Sequence, residues 1–163
     1  MPSMTDPMNA LNQFQKAFEV GLIPVQEGRL DQTVLFAPDR ANGIARFNYM
    51  RAQGETLIAL VMFVQTGLED GNPVFSIGYA VADDYRGRGL AKSTLLAALT
   101  ELSAGLASAN IPTIQVEAVI SLDNLASQAV ATAVFDDTPR SITDSVSGEP
   151  ALLYSRRVTC RLS

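Results

Sequence analysis

Apolar and polar positions along this chain switch repeatedly between two spacings. Over 9–20, Leu11, Phe14, Ala17 and Phe18 recur at helical spacing before Gly21 and Pro24 end the pattern, which predicts an N-terminal helix. Runs at 33–36, 43–51 and 56–65 then read as strands, separated by the turn-forming stretches PDRANG and AQGE. This succession predicts an antiparallel meander. A further turn, GLEDGN at 67–72, leads into a fourth strand, VFSIGYAV at 74–81. Leu95, Leu99, Leu102 and Leu106 form one apolar stripe and predict a helix over 89–108. Beyond Pro112, TIQVEAVI (113–120) is a fifth strand, DNLASQAVATAVF a helix capped at Asp123 or Asn124, and ALLYSRRV (151–158) the last strand. The polar, turn-rich stretch SITDSVSGEP at 141–150 predicts a mobile loop.

Composition narrows the class. At 163 residues, 47% apolar and 18% charged, the chain reads as one globular domain over 1–163 with a sizeable core. Its longest apolar run, LIALVMFV at 57–64, is a buried strand and far too short to span a membrane. The start, MPSMTDPMNALNQFQK, lacks the basic and apolar segments of a signal peptide, so a cytoplasmic location is expected. A single cysteine, Cys160, and no histidine exclude an internal disulfide, a thiol–imidazole pair and a Cys/His metal cluster. With a net charge of −5 and only two lysines beside ten arginines, a duplex-binding face is not expected; a cationic small molecule or basic peptide suits the charge better.

Candidate chemistry concentrates at YRGRGLAKS (85–93), where a strand turns into a helix through Gly87 and Gly89. Such a turn leaves unpaired N–H groups at the helix N-terminus, where the macrodipole adds partial positive charge, and so forms an anion cradle. Glycine suits it because a Cβ would hold a phosphate away from those donors and because glycine reaches positive φ cheaply. An ordinary capped turn would look the same on the glycines alone. Spacing excludes two known phosphate loops. A P-loop would need glycine at Arg86 and Ala91, and a dinucleotide fingerprint starting at Gly87 would need glycine at Lys92.

A third pattern does match. IGYAVADDYRGRGLAKSTLLAAL resembles the acetyl-CoA signature of the GCN5-related N-acetyltransferase (GNAT) family, whose core Arg/Gln-x-x-Gly-x-Gly/Ala falls on Arg86, Gly89 and Ala91. VEAVISLDNLAS resembles the family's second segment, with Glu117 on a strand, then Asn124, then Ser127. The closest flavour is the branch of ribosomal-protein serine and alanine N-acetyltransferases.

The resemblance implies an α+β fold of three layers: a mixed, mostly antiparallel sheet of about six to seven strands, with helices on both faces and a cofactor cleft between the fourth and fifth strands. It implies acetyl-CoA as co-substrate and no metal. By it, backbone near Val81 pairs with the pantetheine arm, N–H groups of Gly87, Arg88, Gly89, Leu90, Ala91 and Lys92 hold the pyrophosphate, and Asn124 and Ser127 reach the cofactor from the opposite wall. Arg86, Arg88 and Lys92 add positive charge there, or are solvated loop residues. The acceptor side needs a base, because an amine with a pKa of about 10 is protonated at neutral pH. Glu117 is the candidate catalytic residue; otherwise it is a strand-edge carboxylate paired with an arginine.

Two positions depart from the family pattern. Many members carry a tyrosine general acid where this chain has Ala131, and the usual Gly-Phe is Val134-Phe135. A coenzyme A thiolate, resembling a free cysteine with a pKa of roughly 8 to 9, leaves without much help from an acid. The expected function is therefore transfer of acetyl from acetyl-CoA to a primary amine, on a small molecule or a peptide N-terminus, by direct attack in a ternary complex. The alternative is a non-catalytic acyl-CoA-binding module on the same fold. No nucleic acid or membrane partner is expected, and a homodimer stays open.

Overall fold

A computed structural model describes residues 6–135 and 138–162. Helix α1 (Pro7–Glu19) begins at Asp6, whose Oδ1 accepts from the Met8 N–H at 2.9 Å, with Pro7 in the first turn where its missing N–H costs nothing. Strands β1 (Gln26–Glu27), β2 (Leu35–Ala41), β3 (Ile44–Gln53), β4 (Thr56–Glu69) and β5 (Asn72–Val81) follow. A short turn then enters α2 (Leu90–Ser108), and β6 (Thr113–Ser121), α3 (Leu125–Val134), β7 (Arg140–Thr143) and β8 (Pro150–Thr159) complete the order. Among the described residues, one sheet holds eight strands in the order β1-β2-β3-β4-β5-β6-β8-β7. Every adjacent pair is antiparallel except β5 and β6.

The sheet is covered on both faces, and β4 shows why its sequence is apolar without a break. Leu60 and Met62 turn towards α1, joining Ala10, Leu11, Met50 and Leu57 in one core. Val61 and Phe63 turn the other way, joining Phe75, Ile77, Leu95, Leu99, Leu102 and Val116 beneath α2. A strand buried on both faces loses the alternation that marks a half-exposed one. Glu101, buried in α2, accepts from the N–H groups of Arg29, Leu30 and Asp31 at 2.9, 2.7 and 2.7 Å and so fixes the β1–β2 loop to the helix. No described helix is long and apolar enough to cross a membrane.

The eight strands exceed the expected six to seven because two short edge strands carry little pattern. β1 has two residues, and β7 occupies Arg140–Thr143, within the stretch read as a loop; it pairs with β8 as far as Thr143 and Pro150, leaving a shorter loop at 144–149. β2 also runs beyond the expected 33–36, through Pro38 to Ala41, and turns only at Asn42 and Gly43. Pro38 is tolerated because β1 pairs only with Leu35 and Phe36, so one side of β2 needs no N–H donor there.

Candidate active site

The parallel pairing of β5 with β6 lasts for three positions, Val74 to Ser76 against Gln115 to Glu117. Beyond Ser76 the strands part. A cleft of about 660 Å³ opens between them, lined on one side by Ile77 to Val81 and on the other by Val119 to Ser121. The two strands are thus the predicted fourth and fifth, with the cleft where the sequence puts it. The N-termini of α2 and α3 both contribute to its wall.

Gly89 caps α2 in the left-handed region at φ 74°, Gly87 lies nearby at φ 76°, and no side chain caps the helix. A Cβ built at either glycine meets no atom within 4 Å, so the space beside the first-turn N–H groups is open. The first turn of a helix of this length presents donors without intrahelical acceptors, so this cradle fits a pyrophosphate. Gly87, Gly89, Leu90, Ala91 and Lys92 all line the cleft.

The basic residues divide. Arg86 lines the cleft, its Nε 3.3 Å from the Val81 carbonyl oxygen and its Nη2 3.2 Å from Asp83. Lys92 lines it as well. Arg88 is absent from the lining; its guanidinium stands 5.2 Å from the Tyr85 ring centroid and donates to the Asp84 carbonyl.

Opposite the glycines, Asn124 caps α3, its Oδ1 accepting from the Ser127 N–H at 3.1 Å. Both residues line the cleft. Tyr79 spans the gap: its hydroxyl donates to the Ser127 carbonyl at 2.7 Å. Burial lifts the pKa of that hydroxyl to about 12, the side chain of Ser127 opposing this and Tyr154 adding to it. Nothing in the sequence marks a contact between residues so far apart. The start of α1 is a further contribution that sequence reasoning missed, since Asp6, Pro7 and Met8 also line the cleft.

Glu117 lies at the foot of the cleft, opposite Ser76 and two residues before Val119, and belongs to the lining of neither this cavity nor the next. Burial raises its pKa and Glu69 raises it further, while Arg140 pulls it down. Ala131 is fully buried in the core beneath α2. Ser121 lines the cleft, whereas Tyr154 is buried beside Phe135 with ring centroids 6.0 Å apart.

A second groove of about 830 Å³ lies next to the first and shares Asp6, Pro7, Ile77, Gly78 and Val119 with it. It crosses the sheet to the β2–β3 hairpin at Arg40 to Arg46 and meets the β7–β8 loop at Asp144 to Val146.

Residues 11–134 match the family described as the acetyltransferase (GNAT) domain. No curated protein matches the chain. Among solved structures, RimL, a ribosomal L7/L12 alpha-N-protein acetyltransferase in complex with coenzyme A, aligns at a TM-score of 0.55 and 19% identity, over 71% of this chain and 64% of that one. A GNAT-family acetyltransferase from Streptococcus pneumoniae aligns at 0.53 and 9% identity, over 69% and 66%. Arabidopsis thaliana Naa50, in complex with the bisubstrate analogue CoA-Ac-MVNAL, aligns at 0.50 and 13%, over 67% and 71%. At these identities the likeness is one of fold. The chain spans 64% and 66% of the first two structures' own length.

Proposed function

Because the chain belongs to the GNAT acetyltransferase family, we propose that it transfers acetyl from acetyl-CoA to an amine, by direct attack on the thioester in a ternary complex. One observation carries this reading: the parting of β5 from β6 and the uncapped glycine turn of α2 open into the same cleft. An unpaired strand edge suits the peptide-like pantetheine arm, and a helix N-terminus suits its pyrophosphate.

In this reading, backbone of β5 near Val81 pairs with the pantetheine amides. N–H groups from Gly87 to Lys92 hold the pyrophosphate, with Lys92 and Arg86 adding charge and Asn124 and Ser127 closing the far wall. The acceptor comes through the second groove and meets the thioester near Gly78 and Val119. Its nitrogen attacks the carbonyl carbon, an N–H near Val81 stabilises the oxyanion, and the carbon–sulfur bond breaks to release the thiolate. The amine proton passes to Glu117; since that carboxylate lines neither cavity, a water carries the proton across. A raised pKa makes Glu117 a stronger base than an ordinary carboxylate.

Two observations favour a second reading, a non-catalytic acyl-CoA-binding module: Ala131 is buried where many relatives have an acid, and Glu117 stands back from the cleft. A turnover assay separates the two. Free thiol released from acetyl-CoA with a panel of amines and N-terminal peptides supports the enzyme; tight acetyl-CoA binding with no thiol released by any acceptor supports the module. The whole 1–163 stretch is proposed to act as one domain.

A further inference from the structure

Resting on the acetyl-transfer reading above, we propose that the acceptor is a polypeptide N-terminus lying extended across the second groove, with Arg40 reading an acidic residue near its fourth position. The groove joins the cofactor cleft at Ile77, Gly78 and Val119 and reaches Arg40 on β2. From β5 to β2 there are three strand spacings, a span of about 14 Å. An extended chain covers that distance in about four residues. A small amine would leave most of the groove empty, and two of the apolar side chains along it, Val119 and Val146, stand 43% and 63% exposed.

The charges along the groove are ordered. Asp6 stands at the cofactor end, where the incoming amine arrives as an ammonium ion. Arg46 is ion-paired with Asp39, its Nε donating to Asp39 Oδ1 at 2.8 Å. The Oδ1 of Asp144 accepts from the Val146 N–H at 2.9 Å. Arg40 is different. Its Nη1 donates to the Gly43 carbonyl at 3.1 Å, which holds the guanidinium at the rim, and among the described residues no carboxylate is ion-paired with it. An amine at one end and a carboxylate about four residues on would match both ends of the groove.

The test uses the full chain, acetyl-CoA and pentapeptides with N-terminal alanine that carry Glu, Gln or Lys at each of positions two to five. Glu at position four or five should lower KM about three- to fivefold relative to Gln, and the advantage should fade in high salt. Arg40→Glu should reverse the preference towards Lys, a gain that a misfolded variant cannot produce. Equal KM values for Glu, Gln and Lys at every position overturn the proposal, as does a Glu preference that survives in Arg40→Glu. Alanine amide used as well as the pentapeptides would overturn it too. If no amine or peptide releases thiol, the acetyl-transfer reading falls and this one with it; if thiol is released without charge dependence, this one alone falls.

Discussion

The hydroxyl of Tyr79 donates to the carbonyl of Ser127 at 2.7 Å, linking the strand on one side of the cleft to the helix on the other. Ser127 is itself held by Asn124 through the cap of α3. The width of the cleft is therefore set by a hydrogen bond between its walls. Tyr79→Phe keeps the ring and removes the bond. It should cost about 1 kcal/mol of stability in urea denaturation and weaken coenzyme A binding several-fold by calorimetry. Unchanged affinity would show that the wall spacing is held by other packing.

Gly89 and Gly54 offer a controlled comparison, since both have positive φ, 74° and 62°, and open space where a Cβ would stand. Replacing either by alanine should cost about 1 kcal/mol through left-handed backbone strain. Only Gly89→Ala should also impair coenzyme A binding, because only there does the new methyl group enter the cradle. Gly89→Val should abolish binding while circular dichroism stays native. Equal binding by the Gly54 and Gly89 variants would remove the glycine turn from the site.

Lys92 and Arg88 should behave differently although both belong to the glycine-turn segment. Lys92 lines the cleft, so Lys92→Ala should weaken coenzyme A by about 0.5 to 1.5 kcal/mol and flatten its salt dependence. Arg88 is engaged with Tyr85 and the Asp84 carbonyl, so Arg88→Ala should have a smaller effect. Titrations at several salt concentrations decide the order.

Glu117→Gln should reduce kcat by about 100-fold near neutrality and leave coenzyme A affinity almost unchanged. The deficit should shrink as pH rises and the acceptor loses its own proton. Stability should move the other way. A carboxyl whose pKa is raised on folding binds more protons in the native state, so stability falls as pH rises through that raised value. Glu117→Gln should therefore melt higher than wild type at neutral pH, with the difference vanishing below the ordinary carboxylate range. A lower melting temperature at neutral pH would mean that Arg140 pairing outweighs burial.

Ala131→Tyr tests the departure from the family pattern. Position 131 is fully buried against the core beneath α2, so a tyrosine there overpacks. The expected loss is at least about 1 to 3 kcal/mol, with no gain in thiol release. A stable, faster variant would show that the α3 packing can open towards the cleft.

Much of this was legible in the sequence because it is local. The leucine stripe of α2, the apolar run of β4 and the glycine turn are patterns within one element, and each lies close to its expected place. β7 escaped because a short edge strand with one pairing partner needs no apolar face, so Ser141 and Thr143 read as loop. Asn42 and Gly43, like Asp70 and Gly71, carry a tight turn in two positive-φ residues, which let the flanking strands extend into stretches rich in turn formers. At the site, Gly87, Gly89, Lys92, Asn124 and Ser127 lie around one cleft, while Arg88 does not. The Tyr79–Ser127 bond, the entry of Asp6 into the wall and the second groove depend on chain crossings that no local pattern encodes.

Three register pairs between β5 and β6 are the whole of the ladder joining two antiparallel blocks, one of five strands and one of three. A ligand lying along the free edge of β5 would lengthen that seam beyond Ser76. Amide hydrogens of Ile77 to Val81 that exchange readily in the free protein would then slow on loading. Beneath the seam the two blocks already share the core under α2. Loading would add backbone pairing to the side-chain packing that joins them, and cooperative unfolding should move to higher temperature as the cleft fills.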